Sequence, residues 1–212
     1  YVTGILFALI LPIGTPYYVV IFGSIFAILI GKLIFGGFGQ NVFNPALVGR
    51  AFVMMSYASK LKSDLPIKGI DAVTQATPTT VLASSNWVGD TLSLPILYLG
   101  QYSASIGETF ALVILIIGIV LSIRKVIDWR LPLFYLGTTG LIAIVVSITH
   151  GLPVISFTIA QIGIGGLAFG AVFMLTDPVT SPTSPLGKII FAIGAGLFTM
   201  LFRYKSNMPE GV

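Results

Sequence analysis

Two stretches of this chain, Leu131–Thr149 and Val154–Thr176, contain no charged residue, and a third, Tyr17–Phe35, contains only Lys32, near its end. A helix needs about 20 apolar residues to cross the hydrocarbon core of a bilayer, and these runs are long enough. Backbone N–H and C=O groups in lipid must be satisfied within their own segment, so each run is expected to be a helix. A membrane β-barrel would alternate apolar and polar residues with period two, and these runs do not. The expected fold class is therefore all-α and membrane-integral, a polytopic helical bundle in a lipid bilayer. Charged residues make up 8% of the chain, against about a quarter in a soluble domain.

Several function classes fall away on composition. There is no Cys, so the chain holds neither a disulfide nor a Cys-ligated iron–sulfur cluster. The single His, His150, excludes a metal site built on several histidines, and no metal is expected. The net charge of +4 sits mostly at the ends of apolar runs, where basic residues anchor helices and set orientation. No basic patch interleaved with aromatics is present, so nucleic acid is not expected as a partner.

Three regions follow along the chain. Residues 1–57 comprise the end of a first helix over Val2–Ile13, a span over Tyr17–Phe35, a Gly-rich break over Gly36–Pro45, and a helix from about Pro45 to Tyr57. Residues 58–103 form a long polar connection. Residues 104–212 contain a span over Glu108–Ile123 and its flanks, a charged loop Arg124–Arg130, spans over Leu131–Thr149 and Val154–Thr176, a Pro/Ser/Thr-rich break over Asp177–Gly187, and the beginning of a next helix over Lys188–Phe202. The bundle thus has two broken-helix regions. Phe35-Gly36 precedes Asn44-Pro45 much as Phe169-Gly170 precedes Asp177-Pro178, which suggests an internal repeat. Gly166 and Gly170 read as a Gly-x-x-x-Gly packing face on one helix. The chain starts at Tyr1 without a Met and ends in Pro-Glu-Gly-Val, and reads as an interior slice of a longer polypeptide.

Charge orients the bundle. Arg124, Lys125 and Arg130 outweigh Asp128 in a short loop, whereas Lys60, Lys62 and Lys68 balance Asp64, Asp71 and Asp90 in the long connection. Short basic loops stay in the cytoplasm, which places Arg124–Arg130 inside and 58–103 outside.

Two motifs carry more than composition. Asp71-Ala72-Val73-Thr74-Gln75-Ala76-Thr77-Pro78 is a hydroxyl-rich loop with no His or Cys base beside a nucleophile, so it does not read as a hydrolytic site. It resembles the acceptor sequence of a bacterial flavin transferase, with Gln75 where the commoner pattern has Gly. Phe43-Asn44-Pro45-Ala46-Leu47-Val48-Gly49-Arg50-Ala51-Phe52 resembles the signature of the family shared by the D subunit of Rnf-type complexes and the B subunit of Na⁺-translocating NADH:quinone oxidoreductases. Ser105-Ile106-Gly107-Glu108-Thr109, Thr176-Asp177-Pro178-Val179-Thr180-Ser181-Pro182-Thr183 and Pro209-Glu210-Gly211-Val212 resemble the same family in the same order. The Asp-Ala-Val-Thr and Ser-Ile-Gly-Glu-Thr versions look more like the D-type member.

That resemblance implies flavin mononucleotide joined by a phosphoester to Thr77, with Asp71, Thr74 and Ala76, the rest of the acceptor sequence read by the transferase, counted among the cofactor-binding residues, and a second, non-covalent flavin, riboflavin, in the bundle. It implies an electron relay that couples ferredoxin oxidation and NAD reduction to Na⁺ or H⁺ translocation in a bacterial or archaeal plasma membrane. The implied partners are the flavoprotein G, membrane A and E, NAD-binding C and iron–sulfur B subunits. No catalytic residue is expected in the chain by itself. Asn44, Arg50, Glu108, Asp177 and Thr180 are the further candidate cofactor-binding residues, and most of them admit two readings. Arg50, inside an apolar helix, costs roughly 2.5–3.5 kcal/mol at a helix centre; it reads as a flavin or anion contact, or as a side chain that snorkels to the interface or satisfies loop carbonyls. Glu108 is a helix cap or a contact to the flavin or the ion path. Asp177, with Thr180, is a capping turn or a cofactor or ion site, and Asn44 stands at the first break. Lys32 and Lys188 read as snorkelling anchors. A channel or transporter with broken helices fits the spans equally well but has no need of Asp71–Thr77.

Overall fold

The computed structural model describes residues 1–12, 14–37, 39–61, 98, 105, 107, 109–164 and 166–205. Among them the chain is helical, with one isolated antiparallel bridge between Pro12 and Ser105. The helices are α1 (Val2–Leu9), α2 (Tyr17–Ile28), α3 (Pro45–Tyr57), α4 (Ala111–Ile123), α5 (Arg130–Thr149), α6 (Val154–Gly163), α7 (Leu167–Phe169) and α8 (Pro185–Lys205). Two π-helical turns, Leu29–Leu33 and Gly170–Met174, extend α2 and α7.

α5 and α8, of 20 and 21 residues, are long and apolar enough to cross a membrane. Their outward residues are apolar: Leu133, Leu141, Val145 and Ile148 on α5 and Ile190, Leu197 and Leu201 on α8 are all exposed. In water such a surface would drive association; in lipid it is the ordinary exterior. α2 with its π turn and α4 are apolar but shorter, Tyr17–Leu33 and Ala111–Ile123, so the runs expected to span over 17–35 and 108–123 are helical over less of their length. α3 has the expected bounds.

The run 154–176 departs most from its sequence reading. It is not one straight helix. α6 ends at Gly163, Gly166 adopts a left-handed φ of +67°, and α7 leaves bent by 64°. Gly166 and Gly170 are therefore not a packing face of a single helix. Counted as one span, the bent pair makes a third crossing. The bend turns Ala168, Phe169, Val172 and Met174 into the core built by Phe7, Val19, Ala46 and Val53 from α1–α3. Residues 167–174 thus join the second half of the chain to the first, while α5, α6 and α8 pack around Ala143, Phe157, Ala160 and Met200.

Glycines set the closest approaches. A Cβ on Gly49 would lie 2.8 Å from the Ala27 Cβ and 3.0 Å from the Gly23 carbonyl oxygen, so α2 and α3 are in backbone contact there. Gly49→Val forces these helices apart, and overpacking of this kind costs about 1–3 kcal/mol. We expect a matching loss in denaturation of the purified protein in mixed micelles; Gly194→Ala, where nothing lies within 4 Å, serves as the neutral control.

Candidate functional site

The two chain breaks share one local plan. Each follows a π turn, and each ends in a helix whose first residue is proline, Pro45 of α3 and Pro185 of α8. Proline suits that position because its missing N–H would have no intrahelical partner there. The equivalence differs from the one read in the sequence. Phe35-Gly36 lies just after the first π turn, whereas Phe169-Gly170 lies at the start of the second.

The breaks meet in space. Asn44 caps α3, its Oδ1 accepting from the Ala46 N–H at 3.0 Å, the usual way for Asn to satisfy a first-turn donor. Its Nδ2 donates to the Met174 carbonyl oxygen at 3.4 Å. The backbone N–H of Asp177 donates to the same oxygen, also at 3.4 Å. Asn44 and Asp177, 133 positions apart in sequence, therefore converge on one carbonyl at the end of a π turn. π turns leave backbone groups without regular helical partners and are frequent at functional sites.

The Asp177 carboxylate closes a local turn, its Oδ1 accepting from the Val179 N–H at 3.2 Å, and Ser181 N–H bonds the Asp177 carbonyl at 3.0 Å. That is the capping turn anticipated as one of its two readings, and the side chain keeps a half-exposed position from which a second oxygen is available. Thr180 is half-buried in the same turn. Arg50 lies on α3 beyond the cap and is buried, at 4% exposure, so a snorkel to open solvent does not describe it. Thr77, Asp71, Thr74, Ala76 and Glu108 lie outside the described residues.

Two polar arrangements escaped the sequence reading. In the first, Arg203, 1% exposed near the end of α8, donates from one guanidinium nitrogen to the Gln161 carbonyl at 3.1 Å and to Gln161 Oε1 at 2.7 Å, and from the other to the Ile164 carbonyl at 3.2 Å. Gln161 Nε2 donates in turn to the Tyr204 hydroxyl at 2.9 Å. The bend after α6 strips its last carbonyls of intrahelical donors, and the guanidinium supplies them. Gln161 was the visible signal, being the one amide side chain in the run 154–176. In the second, Lys188 Nζ donates to Asp128 Oδ2 at 2.8 Å, so Lys188 is an ion-pair member and not a simple anchor. This bond holds the Asp128 carboxyl below its usual range. The stabilisation is therefore complete at neutral pH and is lost as pH falls through that lowered value. The pair also fixes the loop before α5 and the second break on one face of the bundle.

The model of the NQR2, RnfD, RnfE family matches the whole chain, residues 1–212. The chain belongs to this family. Among curated relatives, the D-type member of the proton-translocating ferredoxin:NAD⁺ oxidoreductase complex of Clostridium ljungdahlii is 40% identical over 224 residues, covering 100% of this chain and 66% of the relative. The D-type member of the Na⁺-translocating ferredoxin:NAD⁺ oxidoreductase complex of Acetobacterium woodii is 41% identical, covering 99% of this chain and 64% of the relative. The B-type member of the Na⁺-translocating NADH-quinone reductase of Ectopseudomonas mendocina is 36% identical, covering 100% of this chain and 54% of the relative. The chain thus spans about two thirds of the D-type relatives and about half of the B-type one. The resemblance read from Phe43–Phe52 and Thr176–Thr183 identified this family, and the membrane character follows from it and from α5 and α8 together.

Proposed function

We propose that this chain is the membrane core of a D-type subunit in an Rnf-type complex, a multi-pass plasma-membrane flavoprotein that relays electrons between ferredoxin and NAD while Na⁺ or H⁺ is translocated. The observation that carries this reading is the higher identity to D-type members of ferredoxin:NAD⁺ oxidoreductase complexes, 40% and 41%, than to a B-type member of a quinone reductase, 36%. The D-like wording of Asp71–Thr74 and Ser105–Thr109 points the same way.

In this reading Thr77 carries flavin mononucleotide, attached by the flavin transferase in the extracytoplasmic connection 58–103. A flavin supplies one- and two-electron exchange when bound, and the protein contributes position and electrostatics. The apolar groove between α2 and α3 suits a second flavin poorly. Phe26 and Phe52 stack there at 4.1 Å, yet Ser56 is the one polar side chain in its lining, too few partners for a ribityl chain. The meeting point of the two breaks fits better, because Asn44 and Asp177 bring an amide and a carboxylate to the Met174 carbonyl, with Thr180 in the same turn as Asp177. The shared π turn–break–proline plan supports a structural repeat with broken helices in each half, the arrangement in which transporters keep binding sites deep in the membrane. The G, A, E, C and B subunits are the proposed partners.

The test is complementation. Membranes from a host lacking its own D-type member, supplied with the full-length gene, should regain ferredoxin-dependent NAD reduction. Recovery of NADH-dependent quinone reduction in place of it would assign the chain to the B-type branch.

A further inference from the structure

A basic pocket at the ends of three helices lies outside the site described above. It occupies about 440 Å³ and is lined by Ser122, Lys125, Asp128, Trp129, Arg130 and Lys188. Three helix ends frame it: the C-terminus of α4 and the N-termini of α5 and α8. Lys125 turns the chain out of α4 in a left-handed conformation, φ +57°. Asp128 is the one acid in the lining. It is engaged by Lys188 at 2.8 Å and approached by Arg130 at 3.8 Å, which leaves Lys125, and Arg124 beside it, as exposed positive charge with no ion-pair partner among the described residues. The Arg130 guanidinium stands 5.7 Å from the centre of the half-exposed Trp129 ring. Around this charge runs an apolar rim: Ile123, Val126, Leu133 and Leu186 are all more than half exposed.

We propose that this pocket binds the phosphate headgroup of an anionic phospholipid, with the acyl chains lying on the rim. Excess positive charge calls for an anion. The rim calls for an occupant that is apolar on its other side, which a free phosphate ion is not. Trp at the headgroup level beside Lys and Arg is the arrangement that membrane interfaces favour, and basic pockets between helices on the cytoplasmic face bind acidic headgroups. The site would tie α4, α5 and α8 to the bilayer at one depth and so hold the second break in register with it. This proposal does not rest on the flavin reading.

The experiment uses the assembled complex, with the full-length subunit, in phosphatidylcholine nanodiscs containing a photoactivatable phosphatidylglycerol or the matching phosphatidylcholine. We expect phosphatidylglycerol to label the peptides containing 122–130 and 186–190, and phosphatidylcholine to label them far less. Arg124→Gln with Lys125→Gln should cut that preference by roughly 25-fold, each basic group at an anionic surface being worth about fivefold. Both side chains are exposed and outside the ion pair, so assembly should persist; if the double variant fails to assemble, the comparison of the two lipids on the parent complex decides alone. Equal labelling by both lipids overturns the proposal. So does suppression by excess inorganic phosphate, which would mark a site for the free ion. Absence of label in the assembled complex, with label on the isolated subunit, would mean that a partner subunit covers the pocket, and overturns it too.

Discussion

If Thr77 carries the flavin as proposed, Thr77→Val should remove covalent flavin from this chain completely. The parent subunit, coexpressed with the flavin transferase and denatured, should show an intact mass raised by one flavin mononucleotide residue and yellow-green fluorescence in a gel. The variant should show neither, because valine keeps the shape of threonine while lacking the hydroxyl on which the phosphoester forms. Thr74→Val, at a hydroxyl expected to be read by the transferase and not esterified, should lower the labelled fraction without abolishing it. Ferredoxin-dependent NAD reduction should fall to background in Thr77→Val while the complex still assembles, since the change is confined to the polar connection 58–103. Persistence of covalent flavin in Thr77→Val would refute the attachment site, and loss of assembly along with flavin would make the residue structural.

Arg203→Met should produce the largest loss of stability among the buried positions. It deletes three hydrogen bonds to Gln161 and Ile164. Polar contacts in membrane bundles are worth roughly 0.6–2 kcal/mol each, so the expected loss is about 2–6 kcal/mol. The distinguishing readout is local. Amide exchange should rise across 163–169, where the bend loses its donors, before it rises in α8. Arg203→Lys should recover less than half of the loss, because one ammonium cannot reproduce a planar fork whose separate nitrogens serve Gln161 and Ile164. A Met variant as stable as the parent, with unchanged exchange at the bend, would mean that lipid or neighbouring backbone already satisfies those carbonyls.

α3 was legible because its signals are local. Asn44 caps, Pro45 opens, and an apolar stretch follows, so the bounds Pro45–Tyr57 could be read directly. The bend after α6 was not legible. Gly163 and Gly166 permit it, but glycine is common in membrane helices and permits many things. What selects the bend is a guanidinium about 40 residues further on. The same holds at the candidate site. Asn44 and Asp177 each stood out in the sequence as a residue at a break, yet nothing local indicated that both would reach the Met174 carbonyl. Arg50 was visible as an expensive charge, and its burial on a close-packed α2–α3 pair required knowing that Gly23 and Gly49 face each other.

The sequence by itself determined the solvent. Charge-free runs of bilayer length leave backbone groups only a helix in which to pair, and that requirement acts on each segment separately. It also determined the family, through motifs that survive as short strings. The tertiary structure decided which helix bends, which break meets which, and which basic residue is spent on a carboxylate or carbonyls and which is left to meet an outside anion. Those outcomes depend on donors and acceptors brought together from distant positions, as Arg203 is to Ile164 and Lys188 to Asp128. A buried polar group is costly until its partner arrives, and only the packed chain specifies that partner.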